Sequence, residues 1–313
     1  MSDLSVAIGV LTFKRTESLE QLLPRLLAQL DTLPSDIRGE ILVIDNDPER
    51  SAESTVSGFH SSIRYINEPI PGIAAARQRC LEEAVEFDLL QFIDDDEEPI
   101  GDWLLTMINT WLTFDRPAGV AGRVIPHYEV PPSEWIIAGG FFERRHYPSG
   151  TEVGAASSGN LLLDLHQVRT YGVDFDRSLG LAGGEDTLFT STLVASGGRI
   201  VFCDEAGVTD LVPAQRSTRK WVLQRKWFHG NTASSIKLRG SFGWRRWIMR
   251  VGLVAGGGAR AVVGLVKVFL GKITRNLSMN AQGWKLTYRG LGMASGGLGR
   301  VRAEYARKEK KAE

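Results

Sequence analysis

Apolar runs of strand length alternate with apolar stripes of helical period through the first hundred residues. Residues 5–12, SVAIGVLT, are nearly all apolar, the pattern of a strand buried on both faces. Behind them Leu19, Leu22, Leu23, Leu26, Leu27 and Leu30 return on one side of a helix, with Thr16 placed as its cap. Residues 40–44 and 63–66 predict two further strands, and Gly72 opens a helix to about Glu86 that turns Ala76, Cys80, Ala84 and Val85 inward. Another apolar run, from Leu89 to Ile93, follows. This βαβαβ order predicts an α/β fold, a Rossmann-like and mostly parallel central sheet flanked by helices.

Downstream the pattern is less regular. Trp103, Met107, Ile108 and Trp111 mark a helix, and residues 120–125 a strand. Pro131-Pro132, Gly139-Gly140 and Pro148-Ser149-Gly150 punctuate residues 126–157, which read as a loop-rich insertion. Ser158-Gly159-Asn160 precedes three leucines, and the glycine-rich stretch from Gly180 to Gly184 leads into Glu185-Asp186 and a helix with Leu188, Phe189, Thr192 and Leu193. Residues 244–275 project as a long helix with Arg246, Arg250, Arg260, Lys267 and Arg275 on one side, Gly257 and Gly264 among them. Trp247, Ile248, Val251, Val262, Val266 and Phe269 fall on the other, with Trp244 at the start. Such a helix suits a membrane interface, apolar side down and cations among anionic head groups. A span between Val251 and Leu270 fits in length, but Arg260, Lys267 and the intervening glycines oppose it. A helix packed on the preceding domain is the third alternative. The end from Arg300 to Glu313 reads as a frayed, basic, solvated tail.

The hydrophobic content, 43% of 313 residues, is ample for a core. Cys80 and Cys203 sit in apolar surroundings without metal-like spacing, which predicts reduced core cysteines. The first residues lack the basic and apolar regions of a secretion signal, so a cytoplasmic location is expected. Net charge is zero, yet residues 211–313 hold 22 of the 37 Lys and Arg against only Glu304, Glu309 and Glu313. A third of the chain this basic faces an anionic surface. No nucleic-acid recognition motif accompanies the charge, so a membrane is the expected partner.

The apolar run 89–93 ends in Asp94-Asp95-Asp96-Glu97-Glu98, with Pro99 stopping its continuation. Carboxylates this close repel unless a cation or hydrogen bonds compensate them, which points to Mg²⁺ or Mn²⁺ with waters and substrate phosphates as further ligands. A solvated acidic turn, or an acidic helix start before Trp103, is the plain alternative. Glu185-Asp186 likewise reads either as a helix start or as a site. Asp45-Asn46-Asp47, Asp94 to Asp96 and Thr12-Phe13-Lys14-Arg15 all fall at carboxyl ends of predicted parallel strands, where ligands collect. Neither a Gly-x-Gly-x-x-Gly fingerprint nor a Gly-Lys-Ser/Thr loop is present. His127, His146 and His229 are isolated and read as surface or core residues.

Six motifs in order resemble glycosyltransferase family 2, with the GT-A fold, and its bacterial exopolysaccharide and lipid-linked oligosaccharide branch. They are Val10-Leu11-Thr12-Phe13-Lys14-Arg15, Ile44-Asp45-Asn46-Asp47, Gly72-Ile73-Ala74-Ala75-Ala76-Arg77, Phe92-Ile93-Asp94-Asp95-Asp96, Ser158-Gly159-Asn160 and Gly184-Glu185-Asp186. The resemblance implies an inverting hexosyltransferase using a nucleoside-diphosphate sugar, a uridine diphosphate sugar such as UDP-glucose, and a polyprenyl-diphosphate-linked saccharide acceptor. It implies that Thr12, Phe13, Arg15, Asp45, Asn46, Arg77, Asp94 and Asp95 meet the nucleotide-sugar. Asp45 matches the aspartate at the base or ribose, a task Asn46 or Asp47 is able to share. Asp94 and Asp96 match the metal-binding Asp-x-Asp motif, Asp186 the catalytic base, and Glu185 its companion near the acceptor.

A metal at Asp96 would stabilise the leaving diphosphate, while one carboxylate takes the acceptor's proton. Asp210 stands where many relatives have a histidine, and Gln224-Arg225-Lys226-Trp227 departs from the family's Gln-x-x-Arg-Trp, so a processive synthase is not implied. Residues 1–230 form the expected catalytic domain, 1–100 its nucleotide half and 101–230 its acceptor half. Residues 231–313 form the expected basic membrane region, placing the protein peripherally on the cytoplasmic face of the bacterial inner membrane. A metal-dependent sugar nucleotidyltransferase and a non-catalytic membrane-bound scaffold are the rival functions.

Overall fold

The computed structural model describes residues 4–59, 62–180, 183–239 and 241–300. Leu181 and Ala182 of the glycine-rich stretch and the basic tail from residue 301 lie outside them. The chain divides into two compact units, the first comprising 1–125, 144–181 and 185–210, the second 126–143, 182–184 and 211–313.

The first unit begins with β1 (Leu4–Thr12), α1 (Thr16–Asp31), β2 (Ile37–Asp45), α2 (Glu53–Ser57), β3 (Ile63–Asn67), α3 (Ile73–Glu83), β4 (Leu89–Asp94), β5 (Glu97–Pro99) and α4 (Trp103–Thr113). β6 (Gly119–Tyr128) runs on into the second unit, which contributes α5 (Glu134–Ala138). The first resumes with β7 (Asn160–Asp164), α6 (Leu165–Tyr171), α7 (Glu185–Ala195) and most of β8 (Ile200–Val212). Eight strands form one sheet in the order β3-β2-β1-β4-β7-β6-β8-β5. β1 is parallel to β2 and β4, and β2 to β3, as the periodicity predicts. The remaining assigned pairs are antiparallel: β7 with β4 and β6, and β5 with β8.

Both faces of the sheet are covered because alternate residues of each strand project to opposite sides. Val6, Ile8 and Val10 pack with the α1 leucines and with Trp103, Met107, Ile108 and Trp111 of α4. Ala7, Leu42 and Ile44 pack with Ala76 and Cys80 of α3 and with Phe189 and Leu193 of α7. Cys80 and Cys203 are free and buried, as expected, and burial pushes the Cys80 thiol pKa up.

Register positions the site. Thr12 pairs with Asp45 and Leu11 with Asp94, so the polar ends of β1, β2 and β4 share one edge. Because β7 runs against β4, Asn160 opposes Ile93, and Ser158-Gly159-Asn160 arrives at the same edge. Gly72 approaches Gly180 so closely that a Cβ would stand 2.8 Å from its carbonyl oxygen, and its φ of +126° suits only glycine.

The structure departs from three local expectations. Thr16 is the first helical residue and makes no cap. Arg15 occupies the N-cap position without a side-chain cap bond, its guanidinium being engaged elsewhere. Val85 is exposed because α3 ends at Glu83 and the helical stripe ends with it. Pro99 does not end strand structure: Glu97–Pro99 pair with β8 at the margin of the sheet, where a missing N–H is tolerated.

The second unit is helical: α5, α8 (Arg219–Arg239), α9 (Gly243–Ile273) and α10 (Leu277–Gly297). Trp135, Ile136, Phe141, Val222 and Ala281 form its core, and Lys285 donates to the carbonyls of Gly139 (3.1 Å) and Gly140 (2.7 Å) where α5 ends. α9 and α10 meet along a seam of small residues. A Cβ on Gly257 would stand 2.6 Å from the Gly290 carbonyl oxygen, and one on Gly283 2.7 Å from that of Gly264. Gly257 and Gly264 share the cationic side of α9, so part of that side is helix contact while Arg246, Arg260 and Lys267 stay exposed. The opposite side is bare: Trp244 is 70% exposed, Trp247 67% and Phe269 64%. α9 has 31 residues with a mean hydropathy of 1.7 in its most apolar stretch, long and apolar enough to cross a membrane by length and composition.

Candidate active site

At the end of β2 three neighbouring polar residues do different work. Asp45 is fully buried and accepts from the Asp47 N–H (3.1 Å), the Ala52 N–H (2.9 Å) and the Tyr65 hydroxyl (3.0 Å). It anchors the loop, and burial together with this bond pushes the Tyr65 pKa up to about 12. Asn46 donates to the carbonyls of Glu68 (2.9 Å) and Ile70 (2.7 Å) and accepts from the Gly72 N–H (2.9 Å), fixing the approach to α3. Asp47 Oδ2 is buried without a hydrogen bond, with Lys14 Nζ 3.6 Å away. Within the cluster, Asp47 thus keeps an oxygen with an ion-pair partner but no hydrogen bond.

At the end of β1 the Thr12 hydroxyl donates to Asp95 Oδ2 (2.9 Å). Arg15 Nη1 reaches Asp95 Oδ1 (2.7 Å) and Asp96 Oδ2 (3.0 Å), while Phe13 is partly exposed beside them. Burial lifts the Asp95 pKa to about 6 against the pull of Arg15. Arg77, 3% exposed, pairs through Nη1 with Glu185 and through Nη2 with Asp94 Oδ1 (3.4 Å), joining the end of β4 to the start of α7. Burial raises the pKa of both carboxyls, and Arg77 opposes the shift.

Glu97 is 1% exposed. Its Oε2 accepts the Asp94 N–H (3.1 Å), its Oε1 has no hydrogen-bond partner, and burial beside Asp94 raises its pKa well above the carboxylate range. A Cβ on Gly159 would fall 2.7 Å from Glu97 Oε1 and 3.1 Å from Asp94 Oδ2, so the two carboxyls converge on a glycine. Asn160 is structural: it accepts from Trp103 Nε1 (2.9 Å) and donates to the carbonyls of Arg123 (3.0 Å) and Ala206 (2.9 Å). Asp210, opposite Glu97 in the β5–β8 register, accepts from Arg144 (2.6 Å).

Asp186 differs from its neighbour. Glu185 is buried and ion-paired, with Oε2 left without a partner. Asp186 accepts only from the Thr187 N–H (2.6 Å) and hydroxyl (3.2 Å) and forms no ion pair among the described residues.

Six carboxyl groups, on Asp94, Asp95, Asp96, Glu97, Glu185 and Asp210, thus face three guanidiniums, on Arg15, Arg77 and Arg144. Among the described residues no three His, Cys, Asp or Glu side chains close a protein-only metal cage. Converging carboxylate oxygens with the buried Glu97 Oε1 unpartnered fit a hard divalent ion that takes its other ligands from water and phosphate.

The model of the family described as "Glycosyl transferase family 2" matches residues 7–162. The "Succinoglycan biosynthesis protein ExoM" of Rhizobium meliloti (strain 1021) is 34% identical over 247 residues, 78% of this chain and 78% of that protein. The chain belongs to glycosyltransferase family 2. It is a glycosyltransferase, the activity implied by its sequence motifs.

Two solved structures share the fold of this family 2 chain. Staphylococcus aureus TarS 1-349 in complex with UDP has a TM-score of 0.53 and 14% identity, covering 95% of this chain and 92% of that one. GalNAc-T7 with UDP, GalNAc and Mn²⁺ has a TM-score of 0.53 and 12% identity over 74% of this chain. The chain spans about half of that protein's length, 51%.

Of the residues expected from sequence, the first unit of the family 2 chain brings Thr12, Arg15, Asp94, Asp95 and Asp96 together at one sheet edge, and Arg77 ties Asp94 to Glu185. No pattern in the sequence marks Glu97 or Arg144 as a site residue. Glu97 was hidden inside an acidic run whose burial the sequence does not report, and Arg144 lies in an irregular stretch with no periodicity to place it. Gln224 and Arg225 lie on α8, where they line a cavity with Trp221 and Phe228.

Proposed function

We propose that this family 2 enzyme transfers a hexose, with inversion, from a uridine diphosphate sugar such as UDP-glucose to a polyprenyl-diphosphate-linked saccharide in exopolysaccharide synthesis. The observation that carries the reading is the edge where Asp94, Glu97 and Asp210 meet, tied through Arg77 to Glu185 and so to the start of α7. A site with more carboxylates than cations repels a bare diphosphate, so donor binding requires a divalent cation, Mg²⁺ or Mn²⁺. Asp94 and Asp96 would hold it, with Glu97 beside them. When bound it offsets the charge that develops on the leaving diphosphate.

The chain's own residues supply the rest. Arg77 fixes Asp94 and Glu185 in place, and Thr12 and Arg15 orient Asp95 and Asp96. Asp186 takes the proton of the acceptor hydroxyl as its oxygen bonds to the anomeric carbon and the bond to the diphosphate breaks. At the nucleotide end Thr12, Phe13, Asp45, Asn46 and Asp47 frame the base and ribose, with the Asp47 oxygen that makes no hydrogen bond held beside Lys14. Residues 1–230 act as the catalytic part and 231–313 as the membrane region.

The test is nucleotide release from a panel of nucleotide-sugars in the presence of membrane lipid extract. One donor is expected to be consumed with Mn²⁺ or Mg²⁺, releasing a nucleoside diphosphate, and to be spared once EDTA removes the metal. Release of pyrophosphate, or metal-independent turnover, contradicts the proposal.

The bare apolar side of α9, with Trp244, Trp247 and Phe269 on it and Arg246, Arg250, Arg260 and Lys267 alongside, supports peripheral binding at the cytoplasmic face of the inner membrane. Adding anionic vesicles is expected to blue-shift tryptophan emission and to sediment the protein with the lipid. Trp247→Ser with Phe269→Ser should weaken that binding at least tenfold, since each loses a large apolar contact. Equal binding by the doubly substituted protein excludes this face.

A further inference from the structure

Arg144 stands at the acidic edge, and no motif marks it. One guanidinium nitrogen, Nη2, lies 2.6 Å from Asp210 Oδ2, and its other N–H groups have no hydrogen-bond partner among the described residues. The side chain keeps 39% of its surface exposed. The β5–β8 register sets Asp210 opposite Glu97, whose Oε1 is buried and unpartnered and which crowds Gly159 together with Asp94. Asp94, Glu97 and Asp210 therefore have two neighbouring cations. Arg77 is buried and committed to Glu185 and Asp94, whereas Arg144 is partly exposed and makes a single hydrogen bond.

A guanidinium and a divalent ion are alternative ways of offsetting the same carboxylates. A guanidinium also matches phosphate as well as it matches carboxylate, bidentate in both cases. We propose that Arg144 is a resident counter-cation of the donor site, which leaves Asp210 for a phosphate of the nucleoside diphosphate when the donor binds with its divalent ion. The proposal rests on the donor class assigned above. It has two consequences of opposite sign. Without nucleotide, Arg144 competes with the metal for Asp210 and its neighbours, so removing it tightens metal binding. With nucleotide, Arg144 holds the diphosphate, so removing it weakens nucleotide binding. An arginine that only held Asp210 in position would have no reason to move the two affinities apart.

Calorimetry on the full chain measures both, using Mn²⁺ alone and uridine diphosphate at saturating Mn²⁺. Arg144→Gln is expected to bind Mn²⁺ several-fold more tightly and uridine diphosphate roughly tenfold or more weakly, the loss of a charge-assisted pair. Arg144→Lys should fall between, keeping the charge without the fork. In an Asp210→Asn background, Arg144→Gln should no longer tighten Mn²⁺ binding. Uridine diphosphate affinity unchanged within twofold in Arg144→Gln, or both affinities lowered together, overturns the proposal while leaving the donor assignment intact. A wild-type protein that binds no nucleoside diphosphate with either metal overturns the donor assignment and the proposal with it.

Discussion

Asp186→Asn is expected to lower the transfer rate by about 10²- to 10⁴-fold, the usual contribution of a positioned general base, while uridine diphosphate binds as tightly as to wild type. The substitution is nearly isosteric. Asparagine keeps a side-chain oxygen for the Thr187 N–H, and Asp186 has no ion pair among the described residues to lose, so α7 should start unchanged. What disappears is the carboxylate able to take a proton. Glu185→Gln makes the contrast: it removes the charge that Arg77 pairs with inside the protein, so it should lower stability as well as activity. Steady-state kinetics alongside nucleotide calorimetry separates the two. If Asp186→Asn turns over within a few-fold of wild type, the base lies elsewhere.

Arg77→Met is expected to destabilise the first unit by about 3–5 kcal/mol, because a buried ion pair that loses one partner leaves an uncompensated charge. Arg77 is 3% exposed, and both Glu185 and Asp94 depend on it. For a body of this size the melting temperature should fall by on the order of 10 °C. The sign of the pH dependence is diagnostic. Burial already raises both carboxyl pKa values against the opposition of Arg77, and removing the arginine raises them further. The folded variant then binds protons more tightly than its unfolded chain, so its stability should rise as the pH falls below neutrality. Thermal melts at pH 7 and pH 5 check this, and a variant equally destabilised at both contradicts the assignment.

Much of the first unit was legible because its strands are buried on both faces. Residues in β1, β2 and β4 have to be apolar almost without interruption, and where such runs stop in Asp45 or Asp94 the sheet edge declares itself. The antiparallel half was less legible. β7 looks like any short leucine run, and only its pairing with β4 brings Gly159 and Asn160 to the edge. Nor does sequence say which carboxylate faces inward. Asp45, the more conspicuous aspartate at the end of β2, anchors a loop, while Asp47 keeps an oxygen that makes no hydrogen bond and faces Lys14. The glycines of α9 read as interruptions of an apolar helix, yet they are the surface against which α10 packs, a role visible only with both helices in place.

The central claim is a single displacement at the anomeric carbon with one carboxylate as base. The anomeric configuration of the newly transferred sugar, read by NMR from its coupling constants against those of the donor, tests it most directly. Inversion is expected. Retention would require a second displacement or a front-face mechanism and would contradict the account.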